Sequence, residues 1–162
     1  MEEQKNVSFF RFEDLRVYHK SLEYYKWVCS QLKSADELAL KTLLMPLSDV
    51  ALRISVNIAE GSSKYKLQFI EYLKEAKSNV RQCVVLTTIA NQNSIFTDEQ
   101  AEYSRTVLIE MTKMLGAMVV SLQKDRRKSV SDKSADRETL SNADDEPAFN
   151  IDADDSDFNF NY

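Results

Sequence analysis

Glycine and proline are almost absent from the first 125 residues of this 162-residue chain. Gly61, Gly116 and Pro46 are the whole set, while apolar residues recur at intervals of three and four. Sheets and long loops reverse direction through turns, and turns draw heavily on these two residue types. A stretch so poor in them, with that spacing, is expected to be helical almost throughout. Apolar residues make up 43% of the sequence, which is enough for one domain of this length to bury a substantial core.

Charge divides the chain. Residues 1–128 hold 19 Lys and Arg against 16 Asp and Glu, whereas residues 129–162 hold 2 against 10. The net charge of −5 therefore joins a slightly basic body to a strongly acidic tail. Low hydrophobicity and high net charge leave such a tail unable to offset its ordering entropy, so it is expected to be disordered. It ends in Phe158, Phe160 and Tyr162, after Asp152, Asp154, Asp155 and Asp157. Three roles are open to it: keeping the protein soluble, covering basic residues in competition with nucleic acid, or docking its aromatic end into a partner. The expected division is an N-terminal extension at 1–11, a bundle domain at 12–128 and the tail at 129–162. The charged start from Met1 to Asn6 is unlike a signal peptide, and no run reads as a span of ~20 apolar residues. A cytosolic protein without a membrane partner is expected.

Four helices can be placed. Leu15, Tyr18, Leu22, Tyr25, Cys29 and Leu32 follow the spacing of an amphipathic seam, giving a first helix over roughly 13–33. Ser34 with Glu37 reads as a capping box that opens the second. That helix turns Leu40, Leu43, Leu44, Leu47, Val50, Ala51, Ile54 and Ile58 inward and runs to Gly61, whose missing Cβ suits a left-handed C-terminal position. Pro46 lies inside it and predicts a kink near 42–46. A third helix, capped by Ser62 or Ser63, carries Phe69, Ile70, Leu73, Ala76, Val80, Cys83, Val84 and Thr87 on one side and ends near Asn91. Thr97 and Gln100 form a second capping box. The fourth helix then presents Val107, Leu108, Met111, Met114, Leu115, Met118 and Leu122 and ends near Asp125. Short connections between helices of this length favour an all-α, antiparallel up-down-up-down four-helix bundle. Gly116, inside the fourth helix, marks either a close helix contact or plain tolerance.

Little in the sequence supplies chemistry. His19 is the only histidine, and no Glu-x-x-His pair offers a di-iron site, so no metal, cofactor or catalytic residue is assigned and an enzyme is not expected. Cys29 and Cys83 fall on apolar stripes as small buried hydrophobes. Asn57 and Glu60 lie one turn apart at the end of an apolar row. Asn57 would fix helix register from the bundle interior and Glu60 would accept hydrogen bonds from the start of the third helix, or the two would meet a ligand or subunit. Lys74, Lys77 and Arg81 form a basic row beside the apolar stripe of the third helix, with Glu71 and Glu75 on its far side. Such a row pairs with a neighbouring subunit or binds phosphate. Arg53, Lys64, Lys66, Arg126, Arg127 and Lys128 add positive charge near helix ends. Tyr24, Trp27, Tyr65 and Tyr72 fall outside the main seams, as aromatic rings for subunit contact or for covering the bundle's own shoulder.

The segment Asn57-Ile58-Ala59-Glu60-Gly61 resembles the signature of the four-helix bundle proteins encoded in 23S rRNA intervening sequences, and Phe12-Glu13-Asp14-Leu15-Arg16-Val17-Tyr18 resembles that family's opening pattern. The likeness covers about residues 10–123. It implies a left-handed four-helix bundle assembled as a ring, commonly a pentamer, without catalytic activity. The distantly similar accessory proteins of diversity-generating retroelements work with a reverse transcriptase and nucleic acid through a basic surface, which extends the implication to RNA, DNA or such a protein partner by analogy. The chain departs from the family where Asp49-Val50 stands in place of a basic Arg-Ala pair and Lys77-Ser78 in place of Gly-Ser. The expectation is thus a homo-oligomeric scaffold contacting RNA or a ribonucleoprotein, with a protein adaptor that docks partners through its tail as the alternative.

Overall fold

Helix boundaries follow from local hydrogen bonding. In a computed structural model that describes residues 9–33 and 35–137, with side chains to residue 124, a short 3-10 turn at Arg11–Asp14 leads into α1, Arg16–Leu32. Next comes α2, Glu37–Ser62. It is followed by α3, Lys66–Gln92, and α4, Asp98–Arg137. The result is the expected all-α, antiparallel four-helix bundle. The chain divides into two units, Met1–Arg127 and Lys128–Tyr162. Helix α4 continues past the end expected near Asp125. Residues 138–162, with the acidic and aromatic segment expected there, lie outside the described residues.

Two of the expected caps differ. Asp36, not Ser34, opens α2, its carboxylate accepting from the Ala39 amide at 2.8 Å; Ser34 lies outside the described residues. Ser62 and Ser63 do not cap α3. Their hydroxyls donate back to the carbonyls of Ala59 and Glu60, closing α2, and α3 starts after Tyr65 without a side-chain cap. The Thr97 box forms as read: the Thr97 amide donates to Gln100 Oε1 at 2.8 Å and the Gln100 amide to Thr97 Oγ1 at 3.2 Å.

Pro46 disturbs α2 where expected, but by widening rather than by a simple bend. Proline has no N–H for the Thr42 carbonyl, and the ladder before it opens to π spacing over Leu40–Leu44, the Met45 amide reaching back to the Leu40 carbonyl. Pro46 itself stands at the start of the α stretch that resumes at Met45.

The core takes its layers from all four helices: Val17, Tyr24 and Val28; Leu44, Leu47, Ala51, Ile54 and Ile58; Leu73, Ala76, Val80 and Cys83; Leu108, Met111 and Leu115. The rows expected on α2, α3 and α4 face the core there, with Leu40, Val50, Phe69, Val84, Met114, Met118 and Leu122 partly buried at its edge. On α1 the buried face is Val17, Ser21, Tyr24 and Val28 instead, and the expected row is a partly covered flank with Leu22 exposed. The rotation follows from polar groups that find partners. The Tyr24 hydroxyl, on a side chain with no exposed surface, pairs with Ser104 Oγ at 2.9 Å, and Ser21 Oγ donates to the Tyr18 carbonyl. Trp27 stacks on Tyr24 with centroids 5.7 Å apart and also meets Phe96 and Tyr103. Tyr24 is therefore core and Trp27 and Tyr72 cover the shoulder, while Tyr65 stays 86% exposed.

Gly61 occupies a different role from the one expected of it. It is helical, no glycine has positive φ, and a Cβ built on it would lie 2.5 Å from Tyr72 Cβ and 2.8 Å from a Phe69 ring carbon. It is the point where the side chains of Phe69 and Tyr72 on α3 pack directly against the α2 backbone, which a side chain at 61 would prevent. Gly116 has nothing within 4 Å, so tolerance accounts for it.

Two helices, Glu37–Ser62 and Asp98–Lys124, carry windows with mean hydropathy 1.3 and 1.2, long and apolar enough to cross a membrane, which the sequence reading had not credited to any run. Part of that apolar content serves the core. The rest lies outward: Met45, Leu52 and Val56 on α2, Ile109 and Val120 on α4.

Candidate nucleic-acid interface

The neighbours of α3 fix what each of its flanks can reach. Val84, Thr87, Thr88 and Asn91 line one groove of about 310 Å³ with Asp98, Ala101, Glu102 and Arg105 of α4. Leu86 and Ile89, on the other flank, line a groove with Leu38, Thr42 and Leu43 of α2. Helical residues seven or eleven apart return to nearly the same side. Lys77 lies seven before Val84, Arg81 and Lys74 seven and fourteen before Thr88, and Lys66 eleven before Lys77. All four therefore fall on the α4 side of α3. On α4, Lys113 and Lys124 follow Glu102 at steps of eleven, which puts them in line with Glu102 on the solvent side of α4, about a quarter turn around the helix from Arg105.

The seam between α3 and α4 thus gathers Lys66, Lys74, Lys77 and Arg81 from one helix and Arg105, Lys113 and Lys124 from the other. Lys77 is half-buried and the other six are exposed. At 1.5 Å per residue the first row runs about 22 Å and the second about 28 Å, and packed helices lie about 8–10 Å apart. Among the described residues few acids share this surface. Asp98 and Glu102 stand only at its Arg105 end, where Asp98 accepts from Asn91 Nδ2 at 2.9 Å. Glu71 meets Lys74 from the side at 3.1 Å in an exposed pair of small energetic weight. Glu110 turns to the other flank of α4 and pairs with Lys20 of α1.

Other expected site residues fall elsewhere. Arg53 is exposed on α2, and Lys64 is exposed in the turn before α3. Arg126, Arg127 and Lys128 are on the backbone of α4, and their side chains lie outside the described residues. Sequence reasoning missed Arg105, Lys113 and Lys124; the eleven-residue step from Glu102 was the available signal.

Ile58 is fully buried, Asn57 and Ala59 are half-buried, and Glu60 is exposed, its backbone carbonyl rather than its carboxylate receiving the Ser63 hydroxyl. The fully buried asparagine is Asn79, 2% exposed, with Nδ2 lacking a hydrogen-bond partner among the described residues.

His19 Nε2 donates to the Glu13 carbonyl at 2.6 Å. Among the described residues no three His, Cys, Asp or Glu side chains gather as metal ligands. Both cysteines are free, Cys83 buried and Cys29 half-buried. Burial pushes the Cys83 thiol up to about 12, a protonated and unreactive form at neutral pH. Burial also raises the Tyr24 phenol. No protein-family model matches this chain, and no curated protein matches it.

Proposed function

We propose that this protein is a non-enzymatic, homo-oligomeric helical scaffold that contacts RNA or a ribonucleoprotein partner through the cationic seam of α3 and α4. The observation that supports this is the gathering of seven cations from two helices, where the acids among the described residues are Asp98 and Glu102 at the Arg105 end and Glu71 beside Lys74. Two copies meeting through this surface would press like charges together, so a polyanion suits it better than a second identical face. Its counterions are released when phosphates replace them, which supplies sequence-independent affinity. A reverse transcriptase or similar protein fits as a partner that arrives already bound to nucleic acid.

Assembly finds its support on another surface. Met45, Leu52 and Val56 stand on the side of α2 opposite Leu47, Ala51, Ile54 and Ile58, and apolar area of that kind is covered in oligomers. A ring of five, as the family resemblance implies, would repeat the cationic seam around its rim.

Retention of RNA and DNA by the purified chain at low salt tests the reading. Binding that falls steeply as salt rises, and that strengthens when the ten Asp and Glu of residues 129–162 are removed, is the expected result. Absence of retention in both forms would overturn nucleic-acid contact and leave the partner-docking adaptor.

A further inference from the structure

We infer that the partner of the α3–α4 seam is a double-stranded nucleic acid held by its two phosphate backbones, without base readout; this rests on the nucleic-acid reading above. Proteins that hold single strands interleave cations with exposed aromatic rings on which bases stack, each worth about 1–3 kcal/mol. The seam has no such platform among the described residues. Its outward apolar side chains are Val85, Ile109 and Val120. The exposed rings lie off its length: Tyr103 turns to Trp27 of α1, Phe9 and Phe10 precede α1, and Tyr65 borders it at the Lys66 end alone.

The arrangement of charge points the same way. Two rows of cations, side by side over about 22 Å, face a length in which a duplex offers roughly 13 phosphates on two strands and a single strand roughly 6 on one. Two strands give each row its own line of phosphates. A single strand leaves one row with nothing to neutralise. No loop stands between the rows to enter a groove and reach base edges, so the seam reads backbone charge and spacing and is indifferent to sequence.

The test uses the full chain and fluorescence anisotropy at low salt, with a labelled RNA duplex of about two helical turns, a duplex of scrambled sequence, and one labelled strand left unpaired. The duplex is expected to bind at least roughly tenfold tighter than the strand, and the scrambled duplex to match it within about twofold. Arg81→Glu on α3 and Lys113→Glu on α4 should each weaken duplex binding roughly tenfold and flatten its salt dependence by about one contact or more, whereas Lys41→Glu on α2 should leave it unchanged. Circular dichroism confirms that each exposed-site variant is folded. A strand that binds as tightly as the duplex overturns this inference and leaves nucleic-acid contact standing. No binding by any probe overturns both. Equal losses from Lys41→Glu and Lys113→Glu would remove the seam as the site.

Discussion

Replacing Gly61 with alanine sets two opposed effects against each other, and the geometry decides between them. Alanine in a helix is favoured over glycine by about 1 kcal/mol. The new methyl carbon would begin 2.5 Å from Tyr72 Cβ and 2.8 Å from a Phe69 ring carbon, where ordinary contact is 3.4–4 Å. Tyr72 Cβ is fixed to its backbone and cannot rotate away, so α2 and α3 must separate by roughly 1 Å, an overpacking cost of about 1–3 kcal/mol or more. The net expectation is a loss of up to about 2 kcal/mol, or up to roughly 8 °C in a unit of this size. Gly116→Ala is the internal control. With nothing within 4 Å, it should gain about 0.5–1 kcal/mol. Thermal unfolding followed by far-ultraviolet circular dichroism reads both. A Gly61→Ala protein that melts above the parent, as Gly116→Ala should, would refute the close crossing of α2 and α3.

Tyr24→Phe removes the buried hydroxyl paired with Ser104 and leaves that serine without its partner, so a loss of about 1–2 kcal/mol is expected in denaturant unfolding; an unchanged midpoint would contradict the buried pair. Thiol titration of the folded protein should find Cys29 accessible and Cys83 silent until denaturant is added, and two fast thiols would contradict the burial of Cys83. Stability should also fall with alkali. The Cys83 thiol keeps its proton to about 12 when folded but loses it near its ordinary 9.0 when unfolded, so the unfolded state binds fewer protons between these values. The contribution is complete below pH 9 and declines on the order of 3 kcal/mol by pH 12, with the raised Tyr24 phenol acting in the same direction. A melting temperature level through that range would refute it.

Much of the fold was legible because its determinants are local. The Thr97–Gln100 box is written in four consecutive residues, and the inward rows of α2, α3 and α4 are written in their spacing. The caps at Asp36, Ser62 and Ser63 were decided between near neighbours, whereas the other failures share a cause, which is that the deciding partner belongs to another element. On α1 two stripes have helical spacing, and the more apolar one lost because Tyr24 meets Ser104, eighty residues away. Gly61 looked like a helix terminator because its neighbour Tyr72 belongs to the next helix. The Lys74, Lys77 and Arg81 row was visible within α3, but the surface it belongs to needs Arg105, Lys113 and Lys124. Those become its neighbours only when α4 folds back along α3.

We propose that this bundle carries two working surfaces, an apolar one on α2 through which copies assemble and a cationic one on α3 and α4 left for a polyanion. Light scattering of the purified full chain, beside Leu52→Glu/Val56→Glu, tests it most directly, since these side chains are 41% and 47% exposed and their loss spares the core. The account predicts a multiple of 18.7 kDa for the parent and 18.7 kDa for a folded double variant that still binds nucleic acid. A parent that is monomeric, or a variant whose mass is unchanged, would contradict it.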